Sequence, residues 1–123
     1  MTKKSELQRF GKSTANALNG LSQAVKTELH VRYHLLAAIV VIVLGIITPI
    51  TRNEWMIIGM LVGSVLTAAL FNTAIEKLTD LVSPDKHPQA GLVKDLAAGA
   101  VLVIAIVAAF VGAFIFIPKY IAL

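Results

Sequence analysis

Three long apolar runs divide the chain. They cover about 33–51, 55–75 and 96–118, and none contains Asp, Glu, Lys or Arg. Each holds about 20 residues, which as helix spans a hydrocarbon core of roughly 30 Å. A soluble domain has no use for three such runs in so short a chain. Ahead of them the pattern changes. From about 5 to 29, Leu7, Phe10, Leu18, Leu21 and Val25 recur at near-helical spacing among polar residues, with no proline. That spacing predicts an amphipathic helix lying on the bilayer surface, or a helix packed on a partner subunit. The expected fold is therefore an all-α membrane protein with three transmembrane helices plus an N-terminal amphipathic surface helix, forming a single membrane domain over 1–123.

Punctuation supports these limits. Pro49 disfavours helix in the residue before it, so the first span is expected to end near there. Pro118 is expected to act similarly near the end of the third span. Ser83 and Pro84 mark the end of the second long helix after it leaves the membrane. Small residues in the third span, among them Gly99, Ala105, Ala109 and Gly112, allow close helix approach, possible between subunits.

Composition narrows the class. Of 123 residues, 57% are hydrophobic and 15% charged, where a soluble domain carries about a quarter charged. The mean hydropathy is +0.80. There is no cysteine, which excludes disulfides and thiolate metal sites. The net charge of +4 is read as cytoplasmic flanks and headgroup contacts, not as nucleic-acid binding. Lys3, Lys4, Arg9, Lys12, Lys26 and Arg32 precede the first span, and Lys77, Lys86 and Lys94 lie between the second and third. The other two segments outside the spans hold only Arg52 and Lys119. The positive-inside rule predicts a multi-pass protein of the inner (cytoplasmic) membrane with a cytoplasmic N-terminus. No apolar stretch follows the N-terminal charges closely enough for a signal peptide.

The chemistry-bearing stretch is Ala69-Leu-Phe-Asn72-Thr-Ala-Ile-Glu76-Lys-Leu-Thr-Asp80. Asn72, Glu76 and Asp80 are four apart and line one helical face. Polar groups at that depth are costly and point to function, against the alternative of an ordinary interfacial helix end. Glu28 ends the acid-poor amphipathic segment near the expected membrane surface. Two carboxylates from different helices can share a Mg²⁺ held mostly by water and phosphate oxygens. Arg9, Lys12 and Lys94 supply cations for phosphate. Gly11-Lys12-Ser13 imitates the end of a P-loop, but Glu6 stands where its first glycine is required and no buried strand precedes it. His30, His34 and His87 do not form a convincing metal cluster; headgroup contact suits His30 and His34 better.

Asn72-Thr-Ala-Ile-Glu76, then Asp80, His87 and Lys94-Asp95-Leu-Ala-Ala-Gly99, resembles the signature of the prokaryotic diacylglycerol kinase family, which includes undecaprenol kinases. Arg9, Gly20, Glu28 and Arg32 also fall where the family pattern has them, so the resemblance covers nearly the whole chain. It implies a homotrimer with active sites between subunits at the cytoplasmic interface. It implies transfer of the ATP γ-phosphate to a lipid hydroxyl, of diacylglycerol or undecaprenol, among the surrounding membrane lipids. Glu28 and Glu76 would hold Mg²⁺ ions that bridge the phosphates. Arg9, Asp80, His87, Lys94 and Asp95 would contact or organise the nucleotide, and Asn72 would help position the reacting groups. Positioning and charge neutralisation do most of the work in phosphoryl transfer, which suits so small a protein.

One position departs from the pattern. The family motif resembles Glu-x-x-Asn-x-Ala-x-Glu, and its first glutamate is read as the catalytic base; here it is Ala69. An alanine cannot accept the proton of a lipid hydroxyl, and loss of a general base typically costs on the order of 10²- to 10⁴-fold in rate. Three accounts fit: an engineered inactive variant, a natural member that uses Asp80 or water or turns over slowly, or a binding or regulatory relative. From another class, a small membrane accessory subunit explains the spans but gives no reason for the Asn72, Glu76 and Asp80 face.

Overall fold

A computed structural model describes residues 3–121, apart from the side chain of Lys4. It contains four helices: α1 (Lys3–Thr27), α2 (Leu29–Ile47), α3 (Arg52–Val82) and α4 (Pro88–Ile121). No strand occurs among the described residues. Three of the helices, α2, α3 and α4, are long and apolar enough to cross a membrane. The fold is thus all-α, with a further helix ahead of three candidate spans. Leu7, Phe10, Leu18 and Leu21 on α1 remain exposed, an apolar stripe that the chain itself leaves uncovered.

A single extended residue separates α1 from α2. Glu28 adopts φ −111° and ψ 112°, and its amide still closes the last turn of α1 on the Ala24 carbonyl at 2.9 Å. Buried positions then recur every seven residues: Ala24, Val31, Ala38 and Gly45. That period marks a narrow packing seam rather than a broad apolar face. Helix association in lipid depends on close packing, because the tails are as apolar as the side chains. Small residues on this seam are what allow it.

The first apolar run stays helical only to Ile47. Pro49 forces Thr48 into an extended conformation, φ −105° and ψ 131°, as its ring demands of the preceding residue. Thr51 then opens α3 with a capping box: Glu54 N donates to Thr51 Oγ1 at 3.1 Å and Thr51 N donates to Glu54 Oε1 at 2.9 Å. At 31 and 34 residues, α3 and α4 are roughly 46 and 51 Å long. Both outrun a hydrocarbon core of about 30 Å. Their excess lies at the end where Ser83–His87 joins them, so the last turns of α3 and the first turns of α4 stand beyond the apolar runs.

Pro118 does not end the third span, contrary to the sequence expectation. It sits inside α4, which continues to Ile121. Proline removes one backbone donor, but the last turn is pinned from outside. Lys119 Nζ lies 3.0 Å from Glu54 Oε1, and the Tyr120 hydroxyl hydrogen-bonds the buried Thr48 side chain. Just inside this clasp, Ile58, Ile115 and Phe116 form a buried cluster flanked by Val41, Leu44, Ile50, Val62 and Val111. The tight α2–α3 link end therefore carries the best-packed part of the bundle.

Gly45 belongs to the same end. A Cβ added there would lie 2.6 Å from Cη2 and 2.9 Å from Cζ2 of Trp55, so the indole occupies the space a side chain needs. Gly45→Ala is expected to destabilise the protein by about 1–3 kcal/mol through overpacking. The check is thermal unfolding in detergent by circular dichroism, with Trp55→Leu in the same chain restoring part of the loss. An unchanged midpoint would mean the ring moves aside freely.

Candidate interfacial site

The opposite end of the bundle collects the charged residues. Glu28 reaches it because the α1–α2 break falls there, and Glu76, Lys77 and Asp80 reach it because α3 continues past its apolar run. Lys94 and Asp95 lie on the opening turns of α4, ahead of the 96–118 run. Two ion pairs tie these elements. Lys77 Nζ stands 3.1 Å from Glu28 Oε1, and Lys94 bonds the Asp80 carboxylate. The first joins the α1–α2 junction to α3, and the second joins α3 to α4. The hydrogen bond to Asp80 holds the Lys94 ammonium above the ordinary lysine range; desolvation opposes this, while the charges of Asp80 and Glu76 add to it.

The bond between Lys77 and Glu28 also settles one point of geometry. Lys77 follows Glu76 directly, so Glu28 and Glu76 lie at the same end of the molecule. Not every candidate is drawn in. Arg9 is exposed on α1 and forms no ion pair among the described residues. Asp95 is likewise exposed. His87 works locally: its Nδ1 accepts from the Gln89 backbone amide at 3.1 Å and so caps the first turn of α4. Beside it, Asp80, Ser83–Lys86, Gly91 and Lys94 line an open hollow of about 560 Å³.

Asn72 lies one turn deeper. It is half-buried, and its Oδ1 is buried with no hydrogen-bond partner among the described residues. An orphaned acceptor of this kind costs about 1–3 kcal/mol. It lines an open groove of about 610 Å³ that runs along α3 past Gly59, Gly63, Ser64 and Thr67, with Ala97 and Ala100 of α4 on its wall. The groove reaches Ile75, next to Glu76. Ala69, where a base is expected, is 3% exposed and shares the packed side of α3 with Ile58 and Thr73.

The donor set suits Mg²⁺. Among the described residues no three His, Cys, Asp or Glu side chains converge, so nothing resembles a dedicated protein cage. Mg²⁺ needs none, since it is commonly held by one or two carboxylates plus water and substrate phosphates. Sequence reasoning did not single out Lys77 as a partner for Glu28, or the groove under Asn72. Lys77 stood in the sequence only as one more cytoplasmic cation, and its partner lies on another helix.

A bundle of membrane-length helices with paired acids and cations at one end, above an apolar groove, defines a membrane protein with a charged interfacial site. The profile of the prokaryotic diacylglycerol kinase family matches residues 15–116, and the chain belongs to that family of lipid kinases. It is 40% identical to the undecaprenol kinase of Bacillus subtilis over 116 residues, 94% of each chain. It is 32% identical to a diacylglycerol kinase of Synechocystis, over 85% of this chain and 60% of that one. A diacylglycerol kinase of Haemophilus influenzae is 28% identical over 84% of this chain and 87% of its own.

The unpaired Asn72 oxygen gives a direct test of the site. Asn72→Leu is expected to raise the thermal stability of the ligand-free protein, by roughly 1 kcal/mol, because it removes a buried acceptor together with its desolvation cost. Thermal unfolding in detergent reads this. A lowered midpoint would show that the oxygen has a partner in the folded protein.

Proposed function

We propose that this chain is a Mg²⁺- and ATP-dependent kinase of a membrane lipid alcohol, with undecaprenol favoured over diacylglycerol. The observation that carries the reading is that Glu28, at the α1–α2 junction, bonds Lys77, the neighbour of Glu76 on α3, so that both carboxylates lie at the end where the Asn72 groove approaches the charged face. The preference for undecaprenol rests on the near full-length similarity to the Bacillus enzyme. The whole chain is taken as one membrane domain of the bacterial inner membrane, N-terminus cytoplasmic, and the working unit as a homotrimer with sites between subunits.

In this reading the lipid tail lies along α3 and its hydroxyl reaches the level of Asn72. Glu28 and Glu76 would hold Mg²⁺, which neutralises phosphate charge when bound. Lys94 and Asp80 border the hollow that would take the nucleotide, with His87, Asp95 and Arg9 as further contacts. The lipid oxygen forms a bond to the γ-phosphorus as the bond from that phosphorus to the β,γ-bridging oxygen breaks. ADP leaves, and the hydroxyl proton must find an acceptor. Asn72 Oδ1 can orient that hydroxyl but is far too weakly basic to keep its proton. Ala69 supplies nothing, which leaves Asp80 or water and a slow reaction.

Ala69→Glu is therefore expected to raise phosphorylation of undecaprenol or diacylglycerol by at least about a hundredfold. Ala69→Gln, of equal size and without basicity, is expected to give no gain. The assay is phosphate transfer from ATP to each lipid in parallel, which also ranks the two substrates. A folded Ala69→Glu protein with an unchanged rate on both lipids would remove the missing base as the explanation. Loss of Mg²⁺-dependent ATP binding in Glu76→Gln supports the kinase reading; no ATP binding by the parent chain at millimolar nucleotide would favour an accessory subunit.

A further inference from the structure

Lys77 has no part in the chemistry just described, yet it holds one of the two carboxylates that chemistry requires. It follows Glu76 on α3, about 100° further round the helix. Its Nζ lies 3.1 Å from Glu28 Oε1, and the two side chains are 62% and 23% exposed. The other side-chain neighbour of that oxygen is the Thr27 hydroxyl, at a long 3.5 Å, while Thr27 bonds the Gln23 carbonyl at 2.8 Å. The remaining lysines in ion pairs are engaged elsewhere, Lys94 with Asp80 and Lys119 with Glu54. Among the described residues, Lys77 is thus the one cation on Glu28, and its bond is the one ion pair between the α1–α2 junction and α3.

An ammonium and a divalent metal compete for the same carboxylate oxygen, and at ligand distances they repel each other. A lysine can serve as a removable occupant because its charge is a compact, strongly hydrated point on a flexible stem. Lys77 is also the more exposed partner, so its ammonium can leave for water without crossing protein. We propose that Lys77 is a positioning residue that stands in for the metal: it holds Glu28 against α3 while the site is empty and must release it when the cation arrives. The inference rests on Glu28 and Glu76 being the metal-holding carboxylates. It makes the metal affinity of this chain depend on a side chain that never touches the metal.

The test is Mn²⁺ binding to the full chain in lipid nanodiscs, without nucleotide, followed by the electron paramagnetic resonance of free Mn²⁺. Lys77→Met is expected to tighten binding roughly threefold, a modest gain because an exposed ion pair contributes little in water. Lys77→Arg, which keeps the charge, is expected to show no gain. In a Glu28→Gln chain, Lys77→Met is expected to change nothing, since the competition is gone. Lys86→Met, removing an exposed charge from the segment between α3 and α4, is expected to produce a smaller effect than Lys77→Met. Unchanged or weaker Mn²⁺ binding by Lys77→Met, with parental helix content and Trp55 emission, would overturn the proposal. So would an equal gain in the Glu28→Gln chain or from Lys86→Met. Mn²⁺ binding that responds to Glu28→Gln and Glu76→Gln but not to Lys77→Met removes the role of Lys77 alone. Binding indifferent to both carboxylates removes the metal reading, and this proposal with it.

Discussion

Hydrocarbon tolerates neither an unpaired backbone group nor an unpartnered charge. In a chain with three membrane-length runs, that rule decides where everything else can be. The backbone must close its hydrogen bonds within each span, which leaves helix as the available form. Asp, Glu, Lys and Arg all lie outside the three apolar runs, where water and headgroups can solvate them. The two ends have then taken different tasks. At the α2–α3 link, Thr48, Thr51, Glu54, Lys119 and Tyr120 satisfy one another around a packed cluster of Ile58, Ile115 and Phe116. At the other end the ties are exposed lysine–carboxylate pairs that water weakens. The bundle is thus tied by partly buried groups at one end and by more exposed lysine–carboxylate pairs at the other.

Much of the fold was legible because the bilayer imposes a length and a composition that a single sequence displays. The three runs, and the amphipathic stretch ahead of them, stand out without any knowledge of contacts. The effect of Pro49 was legible for the same reason, since it acts on its own neighbour. Pro118 was misread because the forces that carry α4 past it come from Glu54 and Thr48, far away in the chain. Ser83 and Pro84 marked the end of α3 correctly, whereas the start of α4 at Pro88 was placed short. Apolar composition reports where lipid stops, whereas α3 and α4 continue as helices in water for several more turns.

The site was legible in part. The four-residue spacing of Asn72, Glu76 and Asp80 is a statement about one helix, and helical geometry guarantees their common face. Which charges meet is a statement about two helices. The bonds from Lys77 to Glu28 and from Lys94 to Asp80 needed the packing to be seen. The use of His87 as a cap for α4 depends on the backbone direction after Pro84, which no spacing rule gives.

Position 69 joins the two halves of the argument. Residues seven and eleven apart on a helix return to nearly the same angle, so Ala69, Glu76 and Asp80 lie within about 20° of one line along α3. The side that packs in the membrane, through Ile58, Ala69 and Thr73, becomes the acidic side once the helix emerges. A carboxylate at 69 would sit about 10 Å above Glu76 on that line, at the depth of the groove and away from water. An alanine there keeps the packing and leaves the carboxylates below it in place. Under the proposed function, alanine at 69 therefore concerns proton removal and not the residues proposed to bind metal and nucleotide.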